Sequence, residues 1–585
     1  MLTYLCKNCN DLVCETSICP VCGSKTELLE SKIFWSKEYN CPSFDQTSIQ
    51  NSEIYEYIGS DIRPVFPKER LLIEILINKP MKYAGKSIWN VSGSTYVVEG
   101  KKVKLNFKDL IKNNKCEDII ERIKEYSLIN KEYENNFFNN EYIKNFILIN
   151  KTRLETITGE AISYIKETSK SYSIDEMFVS FSGGKDSTVT SDIVTKALGT
   201  KRIVHIYGDT TLEYPTSGEY IKRFKLANSE TPVLVAKNID QDFNNLCEVI
   251  GPPSRVMRWC CTVFKTGAIT KKIESTFKDK KRLISFQGIR RNESKSRSKY
   301  DRETTSPKIT KQLAISPIID WLDFDVWLYI LSNNLDFNDA YKQGFSRVGC
   351  WCCPNNSAWS AYLSSIYMND DYNKFMNILY KFAKDVGKMD WKEYVDEGKW
   401  KARQGGNGLK ASGNTVVSFK PCALEENAYN YELSKPIDET LYTLFKPFGT
   451  LNFSIGNKRL NEVYVLDKRS NEPIIKLSGR LGTNNLKITV LKKIPAFKNK
   501  AIAENMLKAQ ITKYQACLAC GACQSVCKHN AIKIFNTQKG DVSNSSVSYV
   551  IDENKCLGCL ECVLHFDGGC YMKKVLRIKN ERRLK

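Results

Sequence analysis

An apolar run, Met177-Phe178-Val179-Ser180-Phe181, passes directly into Ser182-Gly183-Gly184-Lys185-Asp186-Ser187, and this junction constrains the chain more than any other feature. The run reads as a buried strand and residues 185–198 read as a helix. A strand that turns through two glycines into a helix aims unpaired N–H groups and the positive end of the helix dipole at one point. Ser182 and Ser187 add hydroxyl groups there, and Lys185 adds a compact cation. Such a turn suits a phosphate, although it is not the G-x4-G-K-[ST] loop of common nucleotide hydrolases. Further short apolar runs at 202–206, 232–235 and 283–286 alternate with amphipathic helices. That alternation predicts an α/β domain over residues 171–400: a doubly wound parallel sheet with ligands at the C-terminal ends of its strands.

The 22 cysteines are the second constraint. Most fall in C-x-x-C pairs, which suit shared metal centres better than separate cross-links, and thiols kept free for metal imply a reducing, cytoplasmic setting. Cys517, Cys520, Cys523 and Cys527 have the bacterial ferredoxin spacing, in which the fourth cysteine serves the other cluster. One 4Fe–4S cluster then takes Cys517, Cys520, Cys523 and Cys570, and a second takes Cys527, Cys556, Cys559 and Cys562. The pattern departs from ferredoxins at Lys528, where proline is usual, and in the seven residues between Cys562 and Cys570. Cys260, Cys261, Cys350 and Cys353 can present four thiolates to a third 4Fe–4S cluster, with zinc as the other candidate and Cys352 as a spare thiol. Cys6, Cys9, Cys19 and Cys22 fit a zinc ribbon, and Cys14 lies between the pairs. Of the histidines, His205 reads as packed core.

The Ser182–Ser187 loop resembles the PP-loop of the ATP pyrophosphatase superfamily. Three later stretches extend the likeness: 207–215 (Tyr-Gly-Asp-Thr-Thr-Leu-Glu-Tyr-Pro), 288–297 (Gly-Ile-Arg-Arg-Asn-Glu-Ser-Lys-Ser-Arg) and 316–327 (Ser-Pro-Ile-Ile-Asp-Trp-Leu-Asp-Phe-Asp-Val-Trp). With the Cys260-Cys261 and Cys350-x2-Cys353 flanks, residues 171–400 resemble the phosphoadenosine phosphosulfate (PAPS) reductase family, whose fold is adenine nucleotide alpha hydrolase-like. The resemblance implies that Ser182, Gly183, Gly184, Lys185, Asp186 and Ser187 bind phosphate. It implies that Asp209 lies near the nucleotide or its magnesium, that Gly288, Arg290, Glu293 and Arg297 complete the nucleotide site, and that Lys185, Asp186 and Arg290 are catalytic.

Length and composition set the rest. At 585 residues the chain needs several domains. We expect a zinc ribbon (1–35), a small β-rich, PUA-like domain (36–115), a helical connector (116–170), the PP-loop domain (171–400), a mixed α/β region (401–500) and a ferredoxin-type domain (501–585). No apolar run is long enough for a membrane span. The formal charge of +21 suits a nucleic-acid or polyphosphate partner, and equally suits lysines spread over solvated faces. Two enzymatic readings follow. In the first, ATP and magnesium adenylate a substrate, which nucleic acid would supply, and a sulfur donor such as a cysteine desulfurase then displaces AMP. In the second, a sulfonucleotide reductase takes adenylyl sulfate or PAPS and draws electrons through the ferredoxin-type tail from an external donor. The second lacks the family's C-terminal Glu-Cys-Gly-Leu/Ile-His nucleophile motif. A third reading is a non-catalytic, nucleotide-binding electron-transfer subunit.

Overall fold

The computed structural model describes residues 3–6, 11–14, 18–24, 27–28, 33–44, 55–305, 311–403, 416–492, 494, 497, 499–536, 547–566, 570–572 and 577–580. Cys9 and the side chains of Cys6 and Cys14 lie outside the described residues, so the zinc-ribbon set is represented there by Cys19 and Cys22.

Side chains of a strand point alternately to the two faces of a sheet, so a strand apolar at successive positions needs cover on both. Met177 and Val179 face one core with Val189, Ile193 and Val194 of the Lys185–Leu198 helix. Phe178 faces another, with Ile273 of the Gly267–Thr276 helix and Phe277 just beyond it. The sheet runs in the order Val233–Lys237, Val204–Asp209, Met177–Ser180, Leu283–Gln287, Gln312–Ile315, Glu303–Thr305. Five of these strands are parallel, as expected. The expectation of a wholly parallel sheet is corrected at one edge, where exposed Glu303–Thr305 pairs antiparallel with Gln312–Ile315. The short connection between them cannot hold the crossover a parallel pair needs. Strand order reverses beside Met177–Ser180, so the crevice at this switch point opens next to Ser182 on one side and Gly288 on the other.

The helices of 116–170 are more than a connector. Phe146, Ala161 and Ile165 lie in the same core as Val179, and Arg153 Nε donates to Asp325 Oδ1 at 2.6 Å. Among the described residues, the region before them holds three small sheets, the short helix Phe107–Asn113 and a longer helix, Pro67–Leu76. Glu99 and Gly100, both at positive φ, turn Thr95–Val98 back onto Lys101–Lys104, as a tight hairpin requires. The Pro67–Leu76 helix has no counterpart in the sequence reading, because burial on all sides removes the polar stripe that marks an amphipathic helix. Its polar side chains are paired instead: buried Glu69 accepts two bonds from Arg63, at 2.7 and 2.6 Å.

The 401–500 region supplies six strands of a seven-stranded sheet whose last strand, Arg577–Asn580, comes from the C-terminal end and lies parallel to Val416–Pro421. The division expected at 500/501 is therefore crossed by the chain. Between these strands the Lys500–Ala516 helix leads into the cysteine-bearing segments, the helices Ala522–Val526 and Glu561–Leu564, and the hairpin of Ile532–Asn536 with Val547–Ile551. Among the described residues, no helix is long and apolar enough to cross a membrane.

Candidate active site

The phosphate loop is held from behind by its own sequence and by distant residues. Gly183 has φ of +71°, a conformation that suits glycine. Ser187 Oγ donates to Gly184 O at 2.9 Å and accepts from Ser182 N at 3.2 Å, closing the turn. Lys185 N donates to Tyr341 Oη at 3.0 Å, and Asn338 Nδ2 donates to Ser217 Oγ at 2.9 Å beneath the loop. The Gly184 N-cap makes no side-chain capping bond. Gly288, after the neighbouring strand, lies so close that a Cβ there would stand 2.7 Å from Asp186 C and O.

Lys185 is 4% exposed and sits inside an ion network. Its Nζ lies 3.1 Å from Asp186 Oδ2 and 3.2 Å from Asp323 Oδ1. Arg290 Nε donates to Asp186 Oδ1 at 2.6 Å, its Nη2 donates to Asp323, and its Nη1 donates to Trp321 O at 3.2 Å. Burial pushes the Asp323 carboxyl up, but Lys185 and Arg290 outweigh it and hold it down to about 2. Asp61, from the N-terminal region, caps the Asp323–Ser332 helix by accepting from Asp323 N and Phe324 N, both at 3.0 Å. Burial and the Asp323 charge raise Asp61 to about 6. Asp323, Asp61 and Tyr341 are site residues that sequence reasoning missed. Asp323 stood within the 316–327 stretch without a role, and nothing near Asp61 in sequence marks it.

The remaining expected residues divide. Arg297 is ion-paired with Glu293 and feels the charges of Asp186, Arg290 and Arg347, so both reach the rim of the network. Asp209 turns elsewhere, accepting from Thr211 N at 2.8 Å and pairing with Lys237 at 3.2 Å.

The internal thiols converge on the same C-terminal end of the sheet. Thr210, directly after the Val204–Asp209 strand, places Oγ1 3.5 Å from Cys350 Sγ, and Glu213 bridges to Cys350 through the backbone. Cys261 accepts from Arg258 Nη2 at 3.3 Å. A hydrogen bond from Cys260, with the Arg258 charge, pulls the Cys261 thiol down to about 5. The bonded Cys260 is driven up, with burial and the charges of Cys261, Cys350 and Cys352 adding. Burial pushes Cys350 up to about 12, with Glu213 and Cys353 contributing. Buried thiols that oppose one another's ionisation fit a cationic iron–sulfur centre, which would stabilise the thiolates. Cys352 is pushed well above the ordinary thiol range by burial and its neighbours, which makes it a poor nucleophile.

The C-terminal thiols gather in the same way. Cys520 is raised by burial and then by Cys570, Cys523 and Cys517. Cys562 is raised to about 12 by burial, with Cys523, Cys527 and Cys559 adding. Lys513, 1% exposed, donates to Cys562 O at 2.7 Å and lies among the charges of Cys523, Cys562 and Cys570. Among the described residues, no three His, Cys, Asp or Glu side chains converge as ligands of one metal ion. A four-iron cluster does not require that, because each of its irons takes a different cysteine.

Residues 176–356 match the phosphoadenosine phosphosulfate reductase domain, and residues 516–565 match the 4Fe–4S dicluster domain. An uncharacterized protein of Methanocaldococcus jannaschii is 33% identical over 256 residues, covering 42% of this chain and 59% of that protein. A second from the same organism is 34% identical over 205 residues, and the chain spans 41% of its length. The adenosine 5′-phosphosulfate reductase of Lysinibacillus sphaericus is 26% identical over 184 residues, covering 31% of this chain and 73% of that enzyme. The crystal structure of the PAPS reductase of Candida auris aligns at 15% identity and a TM-score of 0.25, over 33% of this chain and 95% of that one. The chain thus joins a PAPS reductase domain, which implies a nucleotide ligand, to a dicluster domain, which implies two 4Fe–4S clusters.

Proposed function

We propose that this chain adenylates a substrate with ATP and couples that step to sulfur transfer. One observation carries the reading: the Ser182–Ser187 loop and the Cys260, Cys261, Cys350, Cys353 set lie at the same C-terminal end of one sheet, where Thr210 reaches Cys350 at 3.5 Å. A substrate oxygen attacks the α-phosphorus of ATP. A P–O bond forms, the bond to the bridging oxygen breaks, and pyrophosphate leaves. The loop N–H groups, Ser182 and Ser187 hold the departing pyrophosphate. Magnesium bound with ATP would offset the growing charge, Arg290 acts on it through the network it shares with Asp186 and Asp323, and Arg297 steadies the nucleotide from the rim. Lys185 and Asp186 position the loop, because each is already bound to Asp323 or Arg290. A sulfur nucleophile from an external donor then attacks the adenylated carbon and AMP departs.

Cys260, Cys261, Cys350 and Cys353 would hold a third 4Fe–4S centre, which supplies electrons or a sulfur-binding iron. The C-terminal ligands divide as Cys517, Cys520, Cys523 with Cys570, and Cys556, Cys559, Cys562 with Cys527. A zinc ribbon on Cys6, Cys9, Cys19 and Cys22 and a nucleic-acid substrate for the basic surface belong to the same reading. ATP–pyrophosphate exchange by the anaerobic protein, with candidate thiol-accepting RNAs or nucleotides present, tests it. Exchange supports adenylation. Sulfite release from adenylyl sulfate without ATP would replace it with the reductase reading. The dicluster domain favours that alternative by offering a source of electrons. Against it, the thiols that would have to replace the missing nucleophile are Cys352, whose burial pushes it well above the ordinary thiol range, and Cys422, which follows the Val416–Pro421 strand of the other sheet.

A further inference from the structure

The dicluster segment is docked on the catalytic domain through the cysteine-bearing parts of both. The Ala522–Val526 helix, which carries Cys523, packs on the π-helical turn Cys261–Thr266. Asn238 Nδ2 clamps the two, donating to Val263 O at 2.9 Å and to Ser525 Oγ at 3.3 Å. The approach is close enough that a Cβ on Gly267 would stand 2.6 Å from Ser525 O. Gln524 Nε2 adds a bond to Asp240 at 3.2 Å. Tyr571, next to Cys570, places its hydroxyl on Thr262 Oγ1, and His565 Nε2 lies 3.4 Å from the same oxygen. Tyr571 follows Cys570 of one thiol set and Thr262 follows Cys261 of the other. Their contact therefore stands between the two thiol sets. The other C-terminal set faces outward: Cys559 is exposed and Leu557 beside it is 68% exposed.

We propose that electrons reach the internal centre through the Cys517, Cys520, Cys523, Cys570 set, with Tyr571 and Thr262 fixing the contact, and enter from solvent at the Cys527, Cys556, Cys559, Cys562 set. Each step is a one-electron transfer. The outer centre is oxidised as the next inward is reduced, no covalent bond changes, and an external low-potential one-electron donor supplies the electron. The order rests on the reading of Cys260, Cys261, Cys350 and Cys353 as a third centre.

The full chain, purified anaerobically and titrated with dithionite, tests the order by electron paramagnetic resonance and iron content. Roughly twelve irons per chain and a third signal are expected first. Roughly eight irons with two signals defeats the three-centre reading itself, before any variant is made. With three centres present, spin–spin coupling on the internal signal should be lost in Cys520→Ala and kept in Cys559→Ala. The reverse pattern overturns the order. Gly267→Val keeps every ligand and pushes the Ala522–Val526 helix away, so it should weaken the coupling with iron unchanged. Coupling undiminished in Gly267→Val also overturns the proposal.

Discussion

Replacing Arg290 by methionine removes one of two cations from a buried network and leaves a shorter, flexible apolar side chain in its place. Arg290 is 3% exposed and binds both Asp186 and Asp323. Without it, the single charge of Lys185 must serve two carboxylates 3.1 and 3.2 Å away. Removing one partner from a buried ion pair costs about 3–5 kcal/mol, because the charge left behind is uncompensated. The side chains of Asp186 and Asp323 keep 14% and 23% of their exposure, and that access to water places the cost at the low end, about 3 kcal/mol. The Arg290→Met/Asp323→Asn double variant restores one cation to one carboxylate. Contacting pairs of this kind couple by about 0.5–3 kcal/mol, so the double variant should be more stable than Arg290→Met by about 1–2 kcal/mol. Urea unfolding followed by a probe in the 176–356 domain measures this, and ATP affinity by calorimetry should fall in both variants. A loss below about 1 kcal/mol in Arg290→Met, or a double variant no more stable than the single, would refute the account of the network.

Gly288→Ala should cost about 1–3 kcal/mol and sharply weaken ATP binding, because its Cβ cannot stand 2.7 Å from the Asp186 carbonyl without moving the loop; calorimetric titration with ATP measures the affinity. Buried His205, hydrogen-bonded to Ser191 Oγ at 2.7 Å, has its pKa lowered from 6.5 to about 4 by burial. The unfolded chain therefore binds more protons between those values. His205 contributes stability above pH 6.5 that is lost toward pH 4, by about 3 kcal/mol, and His205→Gln should flatten that dependence in pH-resolved denaturation. Asp61 tilts the other way. Its folded value is raised from 3.8 to about 6, so the native state holds the extra proton and stability falls as pH rises through that window. Asp61→Asn should remove this fall, so the two single variants must tilt the pH profile in opposite senses.

Much of the site was legible because local physics writes it into consecutive residues. An apolar strand, two glycines and a helix within a dozen positions define the phosphate turn, and the observed Met177–Ser180 strand and Lys185–Leu198 helix match that reading. The spacing of Cys517, Cys520 and Cys523 is equally local, since it is set by how closely one short loop can wrap a cluster. The antiparallel Glu303–Thr305 edge and the Pro67–Leu76 helix escaped, the first because strand direction depends on connection length and the second because full burial erases periodicity.

What the sequence determined by itself was the chemistry of each segment: an anion-binding turn, thiols spaced for metal, and strands that demand cover on both faces. What only the tertiary structure decided was which segments meet. Asp61 caps the helix that begins at Asp323, Tyr341 receives the Lys185 N–H, Tyr571 lies on Thr262, and Arg577–Asn580 returns to a sheet begun more than a hundred residues earlier. Each of those contacts joins groups far apart in sequence. Their pairing is set by the burial of large complementary surfaces, a property no short run of residues carries.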